Sequence, residues 1–294
     1  MKAVQSTLWL ALVLASPALW ADEDQPEIQT QDLGQGIYVL FGEGGNVALS
    51  AGSDGNFLVD DKWAPQSGAI KAAVQLVGEG AIRFVINTHW HGDHTGGNEN
   101  FSNAGAVIVA HDNVRKRMSS DQFIEALKWE VPASAPAALP VVTFGDGLKL
   151  HLNGNTVQVI HVAHAHTDGD ALVLFTEANI LHMGDLYFNG MYPFIDLSSG
   201  GSIGGMIAGV EKGLALADEH TKVIPGHGPV TDRAGLQAYR DLLVSWRDAV
   251  KVHKDAGASL EKTIAAKPTA ATDEALGQGF IKPDKLVEFI YRSL

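Results

Sequence analysis

Three histidines and an aspartate occupy six consecutive positions, His89-Trp90-His91-Gly92-Asp93-His94, just after the apolar run Ile82 to Ile86. A short apolar run of this kind reads as a buried strand, so the imidazoles stand at a strand exit. His89 and His91 are two apart in extended chain, and their rings face the same side. Gly92 lets the chain turn, which aims Asp93 and His94 at a second point nearby. The pattern suits a pair of metals sharing one loop. It also constrains the fold, because two ligands alone make a weak site and other segments must bring further donors to this loop.

Three later segments offer them, each at the end of an apolar strand: His166 in Ala165-His166-Thr167-Asp168-Gly169-Asp170, Asp185 in His182-Met183-Gly184-Asp185, and His227 in Ile224-Pro225-Gly226-His227-Gly228-Pro229. Strand-end loops are where a rigid scaffold presents ligands. The chain has no Cys, so its metal ligands are N or O donors and it forms neither a disulfide nor a lipid-modified cysteine. An all-N/O set suits zinc and also accepts iron or manganese.

Short β-rich runs open the chain at Gly36 to Phe41, Asn46 to Ala51 and Asn56 to Asp60, separated by Gly-bearing turns. A helix follows over Gln66 to Val77, then a strand at Arg83 to Asn87, the histidine cluster, and a strand at Val107 to Ala110. The Pro- and Ala-rich passage from Val131 to Pro140 reads as a loop between two halves. Strands resume at Leu148 to Leu152, Thr156 to His161, Leu172 to Phe175 and Ile180 to His182, before a helix over Ile203 to Ala217 and a strand at Lys222 to Ile224. From Arg233 the chain is mainly helical, with breaks at Pro268 and Pro283. Strands alternating with helices in two similar halves predict an α/β domain.

Residues 1 to 21 carry the marks of a secretory leader: Lys2, an apolar stretch from Leu8 to Ala15, and small residues at Ala18 and Ala21 before Asp22-Glu23-Asp24. Cleavage after Ala21 is favoured, with Ala18 as the rival. The apolar stretch falls short of the roughly 20 residues of a lasting bilayer anchor. The domain is expected to span 22 to 294, periplasmic or secreted, with a short helical C-terminal extension from about 250. Loss of Lys2 takes the formal net charge from −13 to −14. A surface so acidic repels phosphate backbones and anionic membranes, which points to a small-molecule substrate rather than nucleic acid.

The His-x-His-x-Asp-His loop and the later His-Thr, Gly-Asp and Gly-His-Gly elements, in that order, resemble the metallo-β-lactamase superfamily over about Ile28 to Ser245. The resemblance implies a four-layer αββα sandwich with metals at one edge between the sheets. It implies a first metal, zinc by expectation, held by His89, His91 and His166. A second is held by Asp93, His94 and His227, with Asp185 bridging. It further implies a hydrolase using a metal-bridging hydroxide, with Asp93 orienting that nucleophile and relaying its proton. Two divalent ions against two carboxylates and a hydroxide leave one positive charge, which would welcome an anionic group on the substrate.

His164, two residues before His166, is the alternative ligand and otherwise a candidate support for one. Asp60, ending an apolar strand, resembles the superfamily's buried Asp that holds a ligand ring, with a simple turn role as the alternative. His161 and His182 are expected in the interior, and His111, His151, His220 and His253 at the surface or in loops. Asp185 stands where some lactamases have Cys or Ser ligands, a pattern similar to glyoxalase II and lactonases. The following Leu186-Tyr187-Phe188-Asn189 lacks the Lys or Ser pair with which those lactamases hold a carboxylate. Asn189, Tyr187 and Tyr192 are the candidate pocket residues. The leading expectation is β-lactam hydrolysis, followed by lactonase, esterase or glyoxalase II-like thioesterase activity. A non-catalytic metal- or partner-binding envelope protein is the reading from another class.

Overall fold

The structure, a computed structural model, describes residues 27–294. The leader expected at 1 to 21 lies outside the described residues. In chain order the first half comprises β1 (Gln29–Gly34), β2 (Ile37–Phe41), β3 (Val47–Ser50), β4 (Asn56–Val59), α1 (Ser67–Val77), β5 (Ile82–Ile86), α2 (Gly92–Thr95), α3 (Asn98–Asn103), β6 (Val107–His111), α4 (Asp112–Met118), β7 (Gln122–Ile124), β8 (Trp129–Val131) and β9 (Val142–Phe144). The second comprises β10 (Gly147–Leu152), β11 (Asn155–Val162), β12 (Asp170–Phe175), β13 (Ile180–His182), α5 (Ile203–Leu216), β14 (Lys222–Ile224), β15 (Thr231–Asp232), α6 (Arg233–Asp255), α7 (Leu260–Ala265), α8 (Ala270–Leu276) and α9 (Pro283–Ser293).

The strands form a seven-stranded sheet in the order β1-β2-β3-β4-β5-β6-β9 and a six-stranded sheet in the order β10-β11-β12-β13-β14-β15. Side chains alternate along each strand. Val39, Val59, Ile86 and Val109 of the first sheet meet Val157, Val173, Phe175 and Ile224 of the second in one apolar layer. The opposite neighbours Leu40, Leu49, Leu58 and Val85 pack against Ile70 and Val74 of α1 and Phe101 of α3. Leu172, Leu174 and Leu181 turn outward to Val210 of α5, Leu243 of α6 and Ile290 of α9. With both faces of each sheet covered, strands such as β3, β4 and β12 are buried throughout. The result is the four-layer αββα sandwich expected from the sequence.

Two features depart from the sequence reading. The segment after about residue 250 is no appendage: Leu286, Val287, Phe289 and Ile290 of α9 belong to the same core as α5 and α6. Pro283 marks the break between α8 and α9 that the sequence predicts, and opens α9 because a first-turn residue needs no N–H partner. The supposed loop between the halves begins in the β7–β8 hairpin, whose short strands are largely exposed and so present no buried apolar run.

β4, β5 and β6 run parallel, as do β13 and β14, so their carboxyl ends gather at one edge. Backbone hydrogen bonds stitch the sheets there: Ala171 N–H donates to Thr88 O at 2.8 Å, and Asn46 N–H to Gly226 O at 2.7 Å. The histidine loop leaves β5 at this edge.

Candidate metal centre

Ligand-type atoms of seven residues converge at that edge, in three groups whose atoms lie within 4.8 Å of one another: His89, His91 and His166; His89, His94 and Asp185; and Asp93, His94 and His227. His89 and His91 come from the exit of β5, and Asp93 and His94 from α2. His166 precedes β12, Asp185 follows β13, and His227 follows β14. Asp185 sits between the groups, 3.5 Å from His166 Nε2, 3.1 Å from His94 Nε2 and 3.3 Å from His227 Nε2. Asp93 lies 3.5 Å from His94 Nε2 and 3.4 Å from His227 Nε2.

Hydrogen bonds behind the rings decide which nitrogens face inward. His94 Nδ1–H donates to Asp60 Oδ2 at 2.7 Å, and Thr88 Oγ1–H to the same oxygen at 2.8 Å. Thr88 Oγ1 in turn accepts from His89 Nδ1–H at 3.1 Å. His91 Nε2–H donates to Asp196 Oδ2 at 3.0 Å, and His166 Nδ1–H to Phe194 O at 2.8 Å. In their neutral forms all four rings therefore turn a lone pair inward. His91 Nδ1 and His166 Nε2 face each other at 2.9 Å, while buried His89 Nε2 and Asp185 Oδ1 find no hydrogen-bond partner. Buried acceptors turned on one another with no donor between them fit bound cations, and the N/O set suits zinc-type ions.

The electrostatics agree. Burial lowers His89 well below the usual histidine value and His166 to about 4, keeping both neutral as ligands must be. Burial also opposes charge on His94, yet Asp185, Asp93 and Asp60 hold its pKa well above normal, so the field there favours positive charge. Burial would raise Asp185, but His227, His94 and His89 keep its carboxyl well below the ordinary range. Burial pushes Asp170 up to about 8, against the Thr167 donors that bind it in the turn presenting His166.

Close backbone approach matters at two glycines. A Cβ on Gly45 would lie 2.1 Å from His94 Cε1, and one on Gly226 would lie 2.1 Å from Asp185 Oδ1. The sequence shows the turns that hold these glycines but not what presses against them.

A family model for the metallo-beta-lactamase superfamily matches residues 38–248, more than half of the chain. The chain belongs to the metallo-beta-lactamase superfamily. Relatives within the superfamily include a hydroxyacylglutathione hydrolase of Nitrosococcus oceani, 29% identical over 54% of this chain and 54% of its own length. Among solved structures, a metallo-beta-lactamase from Pontibacter korlensis has a TM-score of 0.59 at 16% identity, covering 74% of this chain and 99% of its own. A stereoselective inverting sec-alkylsulfatase from Pseudomonas sp. reaches 0.70 at 15% identity, covering 90% of this chain and 50% of its own. These likenesses establish the superfamily fold. The chain spans between 35% and 54% of the length of the curated relatives it matches.

Asp60 lies under the ring of His94, accepting from its Nδ1–H, and reaches His89 through Thr88. His164 is exposed with φ of 53°, and its ring sits 3.2 Å from Gly200 O, so it neither ligates nor supports a ligand. Its left-handed backbone swings the side chain outward while His166 turns in. Tyr187 is no pocket residue, because its ring packs under Tyr239 at 4.7 Å in the core. Asn189 also leaves the pocket, its Nδ2 donating to Pro229 O at 2.8 Å. Tyr192 does line the cavity over the site, but its hydroxyl is bound to Thr272 Oγ1 and Asp273 Oδ1.

His182 is interior as expected, with Nε2 3.2 Å from Asn46 O. His111 is not at the surface: it is buried and stacks at 3.7 Å on half-buried His161, a contact between β6 of one sheet and β11 of the other. Sequence reasoning missed Asp196, 105 residues from the ring it orients, and the aromatic residues Trp63, Trp90, Phe188 and Phe194 that wall the cavity. No local pattern marks Asp196.

Proposed function

We propose that this chain is a hydrolase with two metal ions, zinc by first expectation, cleaving an ester or amide. The observation that carries this reading is the donor arrangement: inward lone pairs of His89, His91 and His166 on one side, Asp93, His94 and His227 on the other, and Asp185 between. When bound, such ions supply Lewis acidity, acidifying a water and polarising the bond to be broken.

The protein's own groups supply the rest. Asp60, Asp196 and the Phe194 carbonyl lock the ligand rings so that no reorganisation accompanies the reaction. Asp93, partly exposed on the cavity side, is positioned to take a proton from the attacking water and return it to the leaving group. The surrounding apolar wall excludes bulk water, which strengthens each of these interactions.

The test is metal analysis followed by hydrolysis of a chromogenic β-lactam, a lactone, an aryl ester and a thioester, with and without chelator. We expect two equivalents of metal and turnover of at least one substrate, abolished by chelation and by His91→Ala. Turnover that survives both treatments would refute the reading. Tight metal binding with no turnover on any substrate would favour a non-catalytic binding protein. The panel also separates β-lactam hydrolysis, the leading expectation from sequence, from lactonase, esterase and thioesterase activity.

A further inference from the structure

A cavity of about 350 Å³, within the range that holds a small organic ligand, opens onto the metal centre. Its floor is His91, Asp93, Asp185 and His227, and its walls are largely apolar, with Trp63, Leu127, Trp129, Phe188, Phe194 and Phe280 among them. Two walls touch the candidate ligands: Phe188 lies parallel to His227 at 5.2 Å, and Phe194 stacks on His91 at 5.6 Å. At the mouth, Trp129 of the β7–β8 hairpin is 50% exposed and Phe280 is 65% exposed. Large apolar side chains held open beside a functional site mark a surface that a ligand covers.

No Lys or Arg is among the described residues lining this cavity. Two cations close to the site are committed elsewhere: Lys62 Nζ is buried and donates to Gly45 O, and Arg117 forms a two-point ion pair with Asp168. A charged group entering between these walls would lose hydration with nothing in exchange, whereas each methylene that enters leaves water favourably. The positive charge of a loaded centre serves only the reacting end of a substrate.

We propose that the site selects a substrate whose acyl or aryl body, beyond the scissile bond, is uncharged and hydrophobic. This rests on the hydrolase reading above and narrows it away from substrates that carry an anionic group on the part entering the cavity, away from the scissile bond.

The test compares p-nitrophenyl acetate, butyrate, valerate and hexanoate with p-nitrophenyl hemisuccinate on metal-loaded protein. We expect kcat/KM to rise about fourfold per added methylene until the cavity fills, the ratio equivalent to about 0.8 kcal/mol of burial. The hemisuccinate should fall roughly tenfold or more below valerate, its near-isostere without the charge. Leu127→Lys should raise the hemisuccinate-to-valerate ratio about tenfold by supplying the missing cation. A wild-type protein that prefers hemisuccinate, or whose rates ignore chain length, overturns the proposal.

A binding arm separates this from failure of the hydrolase reading. Octanoate and octanedioate share one carboxylate for the metal end and differ at the end that enters the cavity, and tryptophan fluorescence follows both. Tighter octanoate binding supports the proposal even if no ester is turned over, a result that counts against hydrolysis alone. Equal or tighter octanedioate binding overturns it.

Discussion

Replacement of Asp60 by Asn should detune the metal centre without removing any ligand. Asp60 accepts from Thr88 N–H at 2.7 Å through one oxygen, and from Thr88 Oγ1–H at 2.8 Å and His94 Nδ1–H at 2.7 Å through the other. Asn offers one acceptor and one NH2 in the same space. With the NH2 toward Thr88 N–H, two donors collide in a fully buried position. With it toward His94, the clash is relieved when the imidazole moves its proton to Nε2, the nitrogen 3.1 Å from Asp185 Oδ1 that must stay free for a metal. Either outcome costs binding. Loss of such a support typically weakens metal affinity about 10- to 100-fold, or roughly 1.4–2.8 kcal/mol.

Zinc titration against a competing chelator would measure this, with circular dichroism to confirm folding. The equivalent held by His94 should weaken by that factor. The one held by His91 and His166 should change less, because Thr88 Oγ1 can still accept from His89. A folded Asp60→Asn protein that holds both equivalents within about threefold of wild type would refute the claim that this carboxylate sets the tautomer of His94.

Gly45→Ala forces a methyl to 2.1 Å from His94 Cε1, so His94 or the loop must shift. It should cost about 1–3 kcal/mol in thermal denaturation and at least about tenfold in activity; wild-type values for both would show that the loop yields freely. Burial holds His111 below its ordinary value near 6.5, with stacked His161 adding to the effect. The unfolded chain therefore takes up this proton first, and stability should fall as pH drops below about 6.5. His111→Gln should flatten that part of the Tm–pH curve in metal-loaded protein, and an unchanged slope would contradict the assignment. Tyr192→Phe removes the hydroxyl bound to Thr272 and Asp273 but keeps the ring in the cavity wall. It should lower stability by about 1 kcal/mol and leave kcat/KM within about threefold; a large KM rise would instead make the hydroxyl a substrate contact.

Where the chemistry depends on neighbours in sequence, the chain is readable. His89, His91, Asp93 and His94 reach two points of one site because strand alternation and the turn at Gly92 place them, and both are local geometry. The buried strands β11, β12 and even the three-residue β13 announce themselves by apolar runs, whereas β7, β8 and β9 are largely exposed and offer no buried apolar run to read. His164 and His166 differ by one backbone conformation, φ of 53° at His164, which the motif order anticipates but composition does not.

Sequence by itself determined the layered α/β plan, the superfamily pattern of candidate ligands and the absence of any sulfur ligand from cysteine, since each resides in local periodicity or residue type. Only the tertiary structure decided which nitrogen of each ring faces inward, because that follows from Asp60, Asp196 and the Phe194 carbonyl, none of them adjacent in sequence to the ring it fixes. It likewise decided the character of the cavity. Trp63, the β7–β8 hairpin, Phe188 and Phe280 become one apolar wall only when both sheets and the C-terminal segment close on the same edge. Burial and partner choice are properties of the packed chain, and no window of sequence contains them.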